Sequence, residues 1–183
     1  EDTTKPEYVL NTASLTKSES VITENGIDYD IQTIHATWQV DEDTQMRDSN
    51  ACNASLNDEI LTTYGIGGWG EFDEESNSCS VNLLMPHYMP SSNYTMNFIM
   101  MFDQALNISG TYFTDPNHGL RDEDIIIDEL PQQIELITNN QDLEAPELDL
   151  NDIQISAVPT NPDAPNGETI VTVTFKVRDN ISG

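Results

Sequence analysis

Between Tyr94 and Phe102 large apolar side chains recur at every second position: Tyr94, Met96, Phe98, Met100 and Phe102. A period of two is the mark of a strand with one face on a core, because successive side chains of an extended chain point to opposite sides. Similar alternation, shorter or less strict, predicts strands over 9–15, 31–40, 60–72, 80–85, 110–114 and 134–138. Helical periodicity is almost absent. Asn25-Gly26, Pro90-Ser91-Ser92 and Asp115-Pro116-Asn117 supply turn signals between the runs. About seven short strands in one stretch of chain predict an all-β fold, an antiparallel sandwich.

The pattern also repeats at long range. Asp2 to Asn11 returns as Asp142 to Asn151 at an offset of 140 residues, with Pro6-Glu7 matched by Pro146-Glu147. Ile34 to Val40 returns as Val171 to Val177 at an offset of 137, with Trp38 matched by Phe175. A repeat this long is a domain, well beyond the roughly 20 to 50 residues of a solenoid unit. The chain thus divides into a complete unit, 1–141, and a linker plus partial second unit with two strand-like runs, 142–183. The junction is expected at 140–146, where Pro146 stiffens an extended linker. A 42-residue second unit is near the roughly 40-residue floor for folding alone. It is therefore expected to continue in a parent protein, or to lean on the first unit or a neighbouring chain.

Charge narrows the partners. The chain carries 33 acidic and 6 basic residues, a formal net charge of −27. Nucleic acid is excluded as a partner, since phosphate binding needs clustered Lys and Arg, and an anionic membrane surface is disfavoured likewise. No run approaches the roughly 18 apolar residues of a membrane span, so no membrane insertion is expected. The start at Glu1-Asp2 reads as a mature or excised segment. Cys52 and Cys79 fit no zinc spacing. They are either a disulfide or two buried thiols; their polar surroundings favour the disulfide, whose loop closure is worth roughly 3 kcal/mol.

Catalytic signatures are lacking. There is no Gly-x-Ser-x-Gly elbow, and His35, His87 and His118 are isolated, the first on the solvent face of a strand and the others in loops. The glycine-rich run Gly65 to Gly70 lacks the Lys-Ser/Thr of a phosphate loop and reads as a bulged strand with close backbone approach. Within it, Trp69 is expected to pack on the core, the alternative being an exposed carbohydrate-binding edge. Calcium is the sharper expectation, because hard cations take several oxygen ligands converging from loops. Candidate ligands are Asp122 and Asp124 in one acidic loop, and Asp142, Glu144 and Asp149 at the junction. Asp41-Glu42-Asp43 cannot open an EF-hand, whose sixth and twelfth positions would be Met46 and Cys52. Asn53, Asn93, Asn107 and Asn180 each begin a glycosylation sequon, meaningful only in a glycosylating host.

Three stretches together resemble a known family. Asp142-x-x-Ala-Pro146 before a strand, Asn166-Gly167 leading into Glu168 to Val177, and the closing Asp179 to Gly183 are similar to bacterial immunoglobulin-like tandem-repeat domains of large secreted or cell-surface proteins. Asp103-x-Ala105-x-Asn107 resembles the Asp-x-Ala-Gly-Asn turn of such repeats, with Leu106 at the glycine position. Asp41-Glu42-Asp43 departs from the Asp-Asn-Ile-Ser-Gly turn. The resemblance implies an immunoglobulin-like sandwich in linear arrays, extracellular or on the cell surface, partnered by other copies or neighbouring domains. The expected function is a non-catalytic structural or adhesive module, a spacer or assembly unit that polymerises by strand addition and is stiffened by calcium. The alternative is a carbohydrate-binding accessory module of a secreted hydrolase, with glycans as partners.

Overall fold

The computed structural model describes residues 3–42, 45–58, 65–113, 125–127, 129–139, 141–164 and 166–179. The chain divides into two compact units, 1–141 and 142–183. Unit 1 contains β1 (Glu7–Tyr8), β2 (Ser14–Glu24), β3 (Ile27–Asp41), β4 (Cys52–Asp58), β5 (Gly65–Asp73), β6 (Ser78–Met85), β7 (Ser92–Phe102), β8 (Ile108–Tyr112), β9 (Ile125–Ile126) and β10 (Gln133–Leu136). Unit 2 contains β11 (Glu147–Leu148), β12 (Gln154–Pro159), β13 (Thr169–Thr174) and β14 (Val177–Arg178). The fold is all-β and sandwich-like, with no helix among the described residues.

One curled sheet makes both layers of unit 1. Its strands run β1-β3-β6-β5-β4-β7-β8-β9, with β2 beside β3 and β10 beside β7; all pairs are antiparallel except β8 with β9. The turn of the sheet falls at β5, where glycine is required. A Cβ on Gly70 would lie 1.9 Å from the Ser80 carbonyl oxygen, and one on Gly68 2.7 Å from a Leu83 methyl. Only bare backbone lets β5 and β6 approach so closely while the sheet folds over. The fold brings β4 and β6 face to face, although β5 separates them in the ladder. The Cys52–Cys79 disulfide staples them. Opposite β5, Lys17 Nζ donates to the Glu135 carbonyl at 3.0 Å and Gln32 Nε2 to the Ile137 carbonyl at 2.7 Å, joining the β2–β3 layer to the β10 segment.

Between the layers lie Ile34, Trp38, Leu56, Val81, Leu83, Tyr94, Met96, Ile99, Met101 and Leu136, all buried. This core departs from the expected pattern in β7. Tyr94 and Met96 face inward, but so do Ile99 and Met101, while Phe98, Met100 and Phe102 are only partly buried on the opposite side. A β-bulge causes the switch: Ser55 pairs with Phe98 but Leu56 pairs with Met96, which leaves Asn97 as an extra residue. One inserted residue flips every later side chain to the other face.

The expected elements differ elsewhere as well. Residues 9–15 are not one strand, because a turn with Asn11 at φ 61° separates β1 from β2. Of the run 60–72, the part from Gly65 onward is strand, and 60–64 lie outside the described residues. Strand β4 was not anticipated, since its inward side chains are Cys52, Ala54, Leu56 and Asp58, of which only Leu56 is a large apolar residue.

Unit 2 repeats the opening of unit 1 register for register. Tyr8 pairs with Val40, and Leu148 with Val177; Ser14 pairs with Thr37, and Gln154 with Thr174; Glu19 pairs with Gln32, and Pro159 with Thr169. Even the bond from Val9 N to the Gln39 carbonyl at 3.1 Å reappears, from Asp149 N to the Lys176 carbonyl at 3.0 Å. The three-residue difference between the two offsets falls at the hairpin tip. β2 and β3 pair out to Glu24 and Ile27 around Asn25-Gly26, whereas the second hairpin stops at Pro159 and Thr169.

Candidate functional site

The β-bulge gives unit 1 an aromatic outer face. Trp69 on β5 pairs with Asn53 on β4, which pairs with Met100 on β7; in the next row Ser55 pairs with Phe98, which pairs with Tyr112 on β8. Trp69 is 52% exposed and meets Phe102 at a ring separation of 5.4 Å, while Phe98 and Tyr112 lie 4.5 Å apart. Ile126, opposite Tyr112, extends the stripe to β9. Core packing of Trp69 is therefore corrected: Gly68 and Gly70 take the inward positions on either side of it and hold the backbone close to β6, leaving the indole to point outward. Small polar side chains, Asn53 and Ser55, lie between the rings. Such a surface can stack on apolar groups or sugar rings while offering hydrogen bonds in its plane.

A second constellation lies on the β2–β3–β6 face. His35 Nδ1 is 2.6 Å from Asn82 Oδ1, and His35 Nε2 is 2.8 Å from the Ser18 hydroxyl. With Nδ1 protonated, the imidazole donates to Asn82 and accepts from Ser18, the connectivity of a nucleophile, a base and its orienter. All three side chains stand on an exposed sheet whose nearby backbone amides belong to the strand ladders. Acyl transfer also needs donors aimed at a developing oxyanion, and the neighbouring strand amides are engaged in those ladders. The chain of bonds acts as a cross-strand tie between three strands.

Aromatic groups also gather at the end of the β2–β3 hairpin. Tyr29 stacks on His87 at 4.0 Å and 15°, and Tyr88 meets His87 edge-on at 5.5 Å. Tyr64 and His118 lie outside the described residues.

The Asp103–Asn107 segment forms a tight turn. Asp103 is fully buried and accepts from the Asn107 backbone N at 2.8 Å and the Asn107 amide at 2.7 Å. Leu106 takes φ 68°, a left-handed conformation that glycine adopts at less cost. The Asn107 side chain of this sequon is thus already engaged with Asp103.

Asp122 and Asp124 lie outside the described residues. At the junction, Asp142 Oδ1 accepts from Glu144 N at 3.1 Å, and Asp149 Oδ1 accepts from Asn151 N at 3.1 Å. Asp149 Oδ2 faces Arg178 at 3.4 Å. Among the described residues no group of three or more His, Cys, Asp or Glu side chains is placed to hold a metal ion. No protein family, curated protein or solved structure matches this chain.

Proposed function

We propose that the chain is a non-catalytic structural or adhesive module of an extracellular bacterial protein, built from tandem sandwich units of immunoglobulin-like type. The observation that carries this reading is the repetition of β1, β2 and β3 in β11 to β14 with the same pairings. Duplicated domains in series serve length and multivalency better than they serve catalysis. An acidic surface of net charge −27 keeps such arrays soluble and apart. The disulfide supports an oxidising compartment. Calcium enters the proposal only as a stiffening ion at the acidic junction, with Asp142, Glu144 and Asp149 not gathered into one ligand group, and a rise in Tm at millimolar calcium checks it. Antibodies against unit 1 should label intact source cells or their shed matrix. Labelling confined to lysed cells would refute the extracellular assignment.

A second reading rests on the aromatic face. Trp69, Phe98, Phe102 and Tyr112 with Asn53 and Ser55 make a platform suited to neutral polysaccharide, whose sugar rings stack on aromatic faces without the repulsion an anionic polymer would meet. Immobilised neutral glycans should retain the protein and release the Trp69→Ala variant. Equal retention of both proteins counts against a glycan-binding face.

A further inference from the structure

Unit 2 presents the same hairpin as unit 1 with its core side uncovered. Ile34, Ala36, Trp38 and Val40 are at most 4% exposed, yet their counterparts Val171, Val173, Phe175 and Val177 are 61%, 52%, 54% and 52% exposed. Leu148 and Ile155, the counterparts of Tyr8 and Leu15, are exposed as well. Apolar side chains clustered on this scale mark an interaction surface.

The backbone edge is open in the same way. In unit 1 the edge of β3 from Gln32 to Gln39 pairs with β6. The matching edge, 169–176, has no strand partner among the described residues; β13 pairs only with β12. An unpaired edge beside an apolar face is a template for strand addition.

The geometry points to unit 2 as the acceptor half of a sandwich, whose occupant is a polypeptide segment of the kind that residues 42–139 form in unit 1. Unit 1 specifies that occupant. The pairing strand, equivalent to β6, runs antiparallel to β13 and carries apolar side chains at alternate positions. Leu83 opposes Ile34 and Val81 opposes Ala36, so the incoming strand sets equivalent residues against Val171 and Val173. A lone strand would satisfy the edge and leave the apolar face wet. The opposing layer supplied in unit 1 by Leu56, Tyr94, Met96 and Leu136 must arrive with it. Lys176, ion-paired with Asp152, and Arg178, paired with Asp149, lie at one end of the seam, and β13 itself, Thr169–Thr174, carries no charged side chain. The inference rests on the tandem-repeat part of the proposed function and is independent of where the protein resides.

A chain carrying a second copy of residues 42–139 after Gly183 tests it, with the unextended chain as reference. Hydrogen exchange at 169–176 should slow at least about 100-fold in the extended chain. A second Cys–Cys bridge should form, and Val171→Asp should abolish both effects while unit 1 melts as before. Unchanged exchange at 169–176 overturns the inference. Concentration-dependent protection of those amides in the unextended chain also overturns it, because the edge would then be taken by a second copy of β13. Neither outcome affects the cell-labelling test.

Discussion

The Tyr8 hydroxyl lies 2.9 and 3.0 Å from the two carboxylate oxygens of Glu129 and donates to them, tying the first strand to a segment 121 residues later. Glu129 also accepts from Asn11 N at 2.8 Å, which holds the left-handed turn between β1 and β2. Burial, then the hydrogen bond to Glu129, pushes the Tyr8 hydroxyl from 10.0 up to about 12. A raised pKa means the folded state keeps this proton longer than the unfolded chain. The stabilisation is complete below pH 10 and is lost as pH rises towards 12. Tyr94, raised to about 12 by burial and then by the Asp58 charge, adds to the same alkaline loss. Tyr8→Phe should cost about 1 kcal/mol at neutral pH and flatten the fall of Tm between pH 10 and 12. An unchanged alkaline slope would remove Tyr8 from this role.

The bulge at Asn97 makes opposite forecasts for neighbouring residues. Ile99→Ala and Met101→Ala should each cost about 2–5 kcal/mol, because both side chains are fully buried. Phe98→Ser and Phe102→Ser should cost clearly less, being on the outer face. Chemical denaturation of the four variants decides; reversed ranking would mean that the bulge is misplaced.

Gly70 admits no side chain without moving the Ser80 backbone, whereas a Cβ on Gly67 meets the Ala54 oxygen at an ordinary 3.5 Å. Gly70→Ala should lose about 3 kcal/mol or more of stability. Gly67→Ala should stay within about 1 kcal/mol. Comparable melting of the two variants would show that β5 tolerates a wider separation from β6.

Trp38 is fully buried with its indole N–H unpaired, and the matching residue of unit 2 is Phe175. Trp38→Ala should cost about 3–5 kcal/mol through the cavity it leaves. Trp38→Phe gives up part of the ring but also removes a buried donor without a partner, so its cost should be about 1 kcal/mol or less. Equal losses in urea titrations would show that the indole N–H is not a burden.

Leu106 is 70% exposed and held at φ 68°. Leu106→Gly should stabilise unit 1 by about 0.5–1 kcal/mol, since the strain of a left-handed residue outweighs the small apolar area that so exposed a side chain covers. A lower Tm for this variant would mean that Leu106 packs more tightly than its exposure suggests.

Much of this could be read directly from the residues. Alternation locates β3 and β6, because the inside–outside pattern is strict over 34–40 and 80–85, with Ile31 buried out of phase at the start of the first run. The turn at Asp103-x-Ala-x-Asn107 was suggested by resemblance to a repeat motif, and the Asp103–Asn107 hydrogen bonds form it with Leu106 at the glycine position. The outer aromatic face was not legible. Period-two reading assigns Phe98 and Phe102 to the core, and only the cross-strand pairing with Ser55 and Leu56 reveals the extra residue that turns them out. Ser18, His35 and Asn82 are 17 and 47 residues apart, so nothing local links them.

By itself the sequence determined several of the strands, the all-β class and the long-range repeat, because alternation, turn residues and duplicated segments can be read along the chain without knowing which strands pair. Tertiary structure alone decided which layer each strand joins, that Trp69 faces outward, that Cys52 meets Cys79, and that the second hairpin has an open edge. Those outcomes depend on how one sheet bends at Gly68 and Gly70, where the space between two backbones, set by residues distant in sequence, leaves room for no side chain.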